Sequence, residues 1–204
     1  MNTNKNSYII IYSAILVVVV AFLLAFVYSA LKPQQDINVA LDKKKQILAS
    51  LNIRDLSDAD AAAKYTEVVE CDEIIDTNAT VINKGEKGGE NAGFKLNSAD
   101  LKEGKLAVYV CNVDGEKKYV IPVYGMGLWG SIWGYIALDA DKNTIYGAYF
   151  DHQGETAGLG AEIKDSKAWQ DLFKGKKSFS ADGAAVAIAV RKASDVKDPA
   201  SEVD

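Results

Sequence analysis

The chain has 204 residues, with 23 basic and 28 acidic side chains, one histidine and a formal net charge of −5 at pH 7. That balance argues against a nucleic-acid footprint, which needs a basic face. Two cysteines, Cys71 and Cys111, and the lone His152 cannot make a four-ligand zinc centre, so no metal site is expected.

From Ile9 to Leu31 there are 23 consecutive residues without a charge. As a helix this stretch spans about 35 Å, against about 30 Å for the hydrocarbon core of a bilayer. Its polar groups, Tyr12, Ser13, Tyr28 and Ser29, sit toward the ends, where tyrosine rings suit the headgroups. The run is too long for a typical cleaved signal, although Val27-Tyr28-Ser29 is a weak cleavage-site pattern. A single membrane anchor within residues 1–34 is expected. Counting positive charges keeps the C-terminal side in the cytoplasm, but large domains translocate largely regardless of such counts.

After Leu31 come 173 residues, with 22 basic and 28 acidic side chains and a formal charge of −6. This is enough chain for one domain with a sizeable core. Ile37, Ala40, Leu41, Lys44, Leu48 and Leu51 recur at spacings of three and four, which predicts an amphipathic helix. Lys32-Pro33 is expected to kink the chain or separate that helix from the anchor. Ser57 or Asp58 is the expected cap of a short helix through Lys64. Residues 35–70 thus read as a juxtamembrane helical region.

Strand patterns follow. Glu73–Asp76 and Thr80–Asn83 are short candidates, and Gly85–Gly93 reads as an exposed glycine-rich loop. Leu106–Val113 alternates apolar side chains and runs into Asp114-Gly115, a hairpin signal, with Lys118–Tyr124 as the return strand. Ser131–Leu138 and Thr144–Phe150 form a second hairpin about Asp141-Lys142-Asn143. Asp165–Lys174 reads as a helix capped by Asp165 or Ser166, with Trp169, Leu172 and Phe173 on one face and Gly175 ending it. Ala184–Val190 is the last expected strand. The fold class is α+β: a transmembrane helix, then residues 71–204 as a domain of mainly antiparallel sheet with flanking helices. Cys71 and Cys111 are expected as small buried apolar residues, a disulfide being the alternative.

Glycine is concentrated. Eight of 16 lie between Tyr124 and Gly160. One cluster is Tyr124-Gly-Met-Gly-Leu-Trp-Gly130 and the other is His152-Gln-Gly-Glu-Thr-Ala-Gly-Leu-Gly160. Glycines let backbone amides approach a planar ring or a phosphate without a Cβ in the way. Thr156 adds a hydroxyl, and Trp129, Trp133, Tyr124 and Leu159 offer an apolar wall for a flat cofactor. The alternative is tight turns beside a sheet, with the aromatics in its core. Neither a phosphate-binding loop ending in Gly-Lys-Ser/Thr nor a dinucleotide fingerprint is present. No nucleophile elbow accompanies His152, so a turn-stabilising role is expected for it, and no catalytic residue is assigned. Asp151 and Glu155 are an acid/base pair only if they escape the usual solvation of loop carboxylates.

The order of the anchor, Gly127-Leu-Trp129, Gly134-Tyr135, Gly154-Glu-Thr-Ala-Gly-Leu-Gly160, Trp169…Leu172 and Gly175-Lys176 resembles the C subunit of the sodium-translocating NADH:quinone reductase. The flavin subunit of the Rnf electron-transfer complex is similar. The family usually has proline where this chain has Ala157. The resemblance implies FMN on a periplasmic domain, lined by Trp129, Gly154, Glu155, Thr156, Gly158, Leu159 and Gly160. It implies electron transfer among the subunits of a redox complex in the bacterial inner membrane, and a flavin transferase for maturation. In the family the flavin is esterified to the threonine of a Ser/Thr-Gly-Ala-Thr motif. Ser201-Glu-Val-Asp204 reads as the lead-in to it, so attachment is expected just after Asp204. Asp182-Gly-Ala-Ala185 is only a mimic, because Ala185 has no hydroxyl. The rival function class is a membrane-anchored binding module with no redox role.

Overall fold

The computed structural model describes residues 5–186, 188–191, 195–198 and 200–203. The chain divides into two compact units, Met1–Asp42 and Lys43–Asp204. Helix α1 (Asn6–Ser50) runs through the division.

In the first unit the side chains from Ile9 to Leu31 are exposed, and the helix is long and apolar enough to cross a membrane. The expected break at Lys32-Pro33 does not occur: Pro33 lies inside α1. Proline removes one N–H donor from a helix, a loss that a long helix absorbs locally. Lys32 also pairs with Asp36 one turn on, at 2.6 Å, which favours helical continuation there.

In the second unit the end of α1 becomes core, with Ile47, Leu48, Ala49 and Ser50 buried. Helix α2 (Asp58–Val68) starts at Ser57, whose hydroxyl accepts from the Asp60 amide, and buries Ala61, Tyr65 and Val68. The strands then follow: β1 (Val69–Ile75), β2 (Val81–Lys84), β3 (Leu106–Val113), β4 (Glu116–Met126), β5 (Ser131–Leu138) and β6 (Ile145–His152), with the short helix α3 (Ser98–Lys102) between β2 and β3. They form one antiparallel sheet in the order β2-β1-β3-β4-β5-β6. The β3–β4 turn is the expected one: Asp114 and Gly115 both have positive φ, 52° and 85°, as a two-residue hairpin of this hand requires.

Along β6 the two faces meet different partners, because successive side chains point oppositely. Gly147 lets the C-terminal end of α1 approach, since a Cβ there would stand 2.4 Å from the Ser50 carbonyl oxygen. Ala148 and Phe150 face the other way, into a cluster with Leu138, Phe173 and Trp169. The outer edge of β6 is covered by Asn52 and Arg54, whose side chains donate to the carbonyls of Tyr146 and Ala148.

Four expectations change. The Gly85–Gly93 segment is partly buried, with Gly88, Gly89 and Gly93 inside, because it wraps the buried Asp72 carboxylate. Asp72 accepts the amides of Asn91, Ala92 and Phe94 (3.4, 2.7 and 2.8 Å), which compensates its burial. The helix expected over Asp165–Lys174 is two short pieces, α4 (Glu162–Asp165) and α5 (Lys167–Asp171), with Ser166 capping the second. Trp169 and Phe173, four residues apart, pack on Phe150, but Leu172 between them is exposed. The expected strand Ala184–Val190, whose residue 187 lies outside the described residues, shortens to β7 (Ala189–Val190). It pairs in parallel with β8 (Glu202–Val203), while the residues before it fold back at the Ser180–Ala184 turn, with Gly183 at φ 82°, and make an isolated antiparallel bridge from Ala185 to Phe179. Cys71 and Cys111 are both buried and unlinked. Burial pushes the Cys111 thiol well up from its ordinary value.

Candidate functional site

Strands β4 and β5 meet at a turn closed by the Gly127 amide donating to the Gly130 carbonyl, 2.7 Å. On the other side of β5, β6 ends beside this turn, with Ile132 opposite His152. The Gln153 amide donates to the Ser131 carbonyl at 2.9 Å, so the ladder leads directly into the second glycine loop. The two glycine clusters, more than 20 residues apart in sequence, are therefore neighbours at one end of the sheet.

Glu155 joins them. Its Oε1 accepts the Trp129 amide at 3.0 Å. A Cβ at Gly127 would lie 2.3 Å from Glu155 Oε1, and one at Gly160 would lie 2.8 Å from Oε2. Both glycines thus make room for a carboxylate of the protein itself. Gly130 makes room for Gln153, and Gly134 for the Tyr149 carbonyl at 2.3 Å. The turn within the second loop has its own logic. The Leu159 amide donates to the Thr156 carbonyl at 3.1 Å, and Gly158 has φ 72°. Positive φ at the third residue of a four-residue turn calls for glycine, and the second position, Ala157, is where proline is favoured.

The surface these loops present is apolar and open. Leu128, Trp129 and Leu159 are 82%, 68% and 73% exposed, and Tyr124 and Met126 are exposed beside them. A Cβ at Gly125 or Gly158 would meet nothing within 4 Å, and one at Gly154 would meet only the Trp129 carbonyl oxygen at 3.8 Å. Thr156 is exposed on the same loop. Trp129, Gly154, Glu155, Thr156, Gly158, Leu159 and Gly160 therefore share one end of the sheet.

Trp133 does not join the exposed surface. It stands opposite Asp151 in the β5–β6 ladder, and its indole N–H donates to the Gln46 side chain of α1 at 3.2 Å. Tyr124 stands next to Trp133 in the β4–β5 ladder, its hydroxyl donating to Ser131 Oγ at 2.7 Å. His152 has the turn-stabilising role: its Nδ1 accepts the Glu155 amide at 3.1 Å, which fixes the imidazole as a turn acceptor. Asp151 and Glu155 bind separate partners. Asp151 is buried against Lys164 and Gln46, whereas Glu155 holds Trp129. Sequence reasoning missed Gln46, Gln153 and Lys164, whose spacing carries no local signal.

A separate groove of about 400 Å³ is lined by Lys174, Lys176, Lys177, Asp198 and Ser201. Its lysines are engaged within the protein: Lys174 lies over the Tyr146 ring at 5.8 Å, Lys176 donates to the Glu202 carbonyl, and Lys177 pairs with Asp141 and Thr144.

The FMN-binding domain family model matches residues 127–204, starting at the first glycine turn. The chain is 33% identical over 176 residues to the C subunit of the Na(+)-translocating NADH-quinone reductase of Haemophilus ducreyi, covering 79% of this chain and 68% of that protein. It is 31% identical over 163 residues to the same subunit of Vibrio vulnificus, covering 73% of this chain and spanning 64% of that relative's length. The crystal structure of this subunit from Parabacteroides distasonis matches with a TM-score of 0.75 and 39% identity, over 85% of this chain and 83% of that one. The α+β fold, the paired glycine loops and these matches agree, and the chain belongs to the family of the C subunit of the Na(+)-translocating NADH-quinone reductase.

Proposed function

We propose that the chain carries FMN as a membrane-anchored electron-transfer subunit of a sodium-translocating NADH:quinone oxidoreductase. In this reading α1 crosses the bacterial inner membrane and the Lys43–Asp204 unit is periplasmic. The other subunits of the complex are its partners, and a flavin transferase matures it. When bound, FMN supplies reversible electron transfer, and the protein supplies its position and surroundings.

The observation that carries the reading is the exposed apolar surface of Leu128, Trp129 and Leu159 over open glycine backbone. A large apolar patch on a soluble unit marks a ligand or partner site. Its flat aromatic and branched aliphatic side chains fit a planar ring system, and the lack of Cβ atoms at Gly154 and Gly158 leaves the loop backbone approachable. Glu155 holds the Trp129 turn against the second loop, so the two walls keep a fixed spacing. The exposed Thr156 hydroxyl is available to donate to a polar ring edge.

Titration of the full chain in detergent with FMN tests this. The native protein should bind saturably. Thr156→Val should weaken binding about 2–10-fold, the worth of one neutral hydrogen bond, with the unfolding midpoint unchanged. Equal affinity in that variant removes Thr156 from the site. A native chain that binds no FMN overturns the reading.

A further inference from the structure

Asp151 is the last inward-facing residue of β6, its side chain only 7% exposed. Four donors surround its carboxylate. Oδ1 accepts from Lys164 Nζ at 2.9 Å and from the His152 amide at 2.8 Å. Oδ2 accepts from Gln46 Nε2 at 3.2 Å and from the Tyr149 hydroxyl at 3.5 Å. These partners come from three places: the end of α1, β6 itself, and α4 beyond the glycine loop.

The loop of residues 153–161 leaves the sheet just after Asp151 and returns to the helix that carries Lys164. The Asp151–Lys164 pair therefore ties the loop's two ends. Gln46 anchors the same carboxylate to α1, with its oxygen held by the Trp133 indole. From Asp151 the contacts continue through His152, whose ring accepts the Glu155 amide, to Glu155, which holds Trp129. The exposed apolar surface of the loops is thus linked to a loop base fixed by one buried charge.

We propose that Asp151 is a positioning residue, fastening the ends of the 153–161 loop to each other and to α1, so that the loop is set for its ligand. The claim about the ligand rests on the FMN reading above, while the claim about the loop does not. Lys164 is 44% exposed and is solvated adequately without a partner, so its removal loosens the loop and leaves the core folded.

The test uses the full chain in detergent, with Asp151→Asn, Lys164→Gln, the double variant and Lys164→Arg. Amide hydrogen exchange is read without FMN at Glu155, Leu159 and Ala161. The expectation is about tenfold faster exchange in each single variant, the scale of a 1.4 kcal/mol local loss. The double variant should go no further, Lys164→Arg should restore protection, and β3 amides should be unchanged. FMN affinity should fall in the same order with no change in unfolding midpoint. Unchanged exchange at the three amides in Lys164→Gln overturns the positioning role. If Asp151→Asn fails to fold, Lys164→Gln and Lys164→Arg decide the matter alone. A native chain that binds no FMN sinks the ligand reading, and the exchange data still decide what Asp151 does for the loop.

Discussion

Gly127→Ala isolates the bracket between the two loops. The new Cβ would stand 2.3 Å from Glu155 Oε1 and 2.7 Å from Ile132 Cδ1. Both are far ends of flexible side chains, so they move and the backbone stays. What is lost is the Trp129 amide bond to the Glu155 carboxylate, 3.0 Å in the native chain. A hydrogen bond to a charged group contributes roughly 1.5–3 kcal/mol. Partial exposure of Glu155 reduces this to about 1–2 kcal/mol, or roughly 5–30-fold in a local equilibrium. FMN affinity by equilibrium dialysis should fall by that factor, while urea unfolding shifts little, because no core contact is broken. Glu155→Ala should weaken binding similarly, and Gly127→Ala with Glu155→Ala should be no worse than either alone, since both remove the same bond. Additive losses would refute the bracket, and so would native affinity in Gly127→Ala.

Gly134→Ala should act on the whole fold. Its Cβ would press on the Tyr149 carbonyl oxygen at 2.3 Å, and backbone in the β5–β6 ladder cannot step aside, so urea unfolding should show a loss of roughly 2–4 kcal/mol. Ala157→Pro should stabilise the second loop by about 0.4–1 kcal/mol, visible as slower exchange at Leu159, because Ala157 takes the turn position proline favours. The Glu202 carboxyl is held down to about 2 by the amides of Lys197 and Asp198 and then by Arg191. Its pKa is lower folded than unfolded, so its stabilisation is complete above about pH 4.5 and is lost as pH falls toward 2. Glu202→Gln should flatten that part of the acid-unfolding curve.

The hairpins were legible because their signals are local. Asp114-Gly115 supplies the two positive φ angles that its turn needs, and Ser57 caps α2 with its own hydroxyl. The two glycine clusters were legible in the sequence as unusual segments, but the reason for several of their glycines was not. Gly127 and Gly160 make room for Glu155, and Gly134 for a neighbouring strand, which depends on tertiary proximity that no local pattern encodes. The same limit hid the burial of the Gly85–Gly93 loop, which is fixed by Asp72 from β1, and the role of Asp151, which depends on Gln46 more than 100 residues away. Trp133 looked like part of a cofactor wall because composition does not say which face of β5 α1 covers. Ala157 is the instructive departure. The turn at Thr156–Leu159 forms without proline, because Gly158 supplies the positive φ and the Thr156 carbonyl supplies the acceptor.

A crystal structure of the chain with FMN would locate the flavin. The flavin ring should lie against Trp129 and Leu159, between the turn closed by Gly127 and Gly130 and the loop carrying Thr156. Flavin seated elsewhere, as in the groove lined by Lys174 and Ser201 with the glycine loops bare, would contradict that placement.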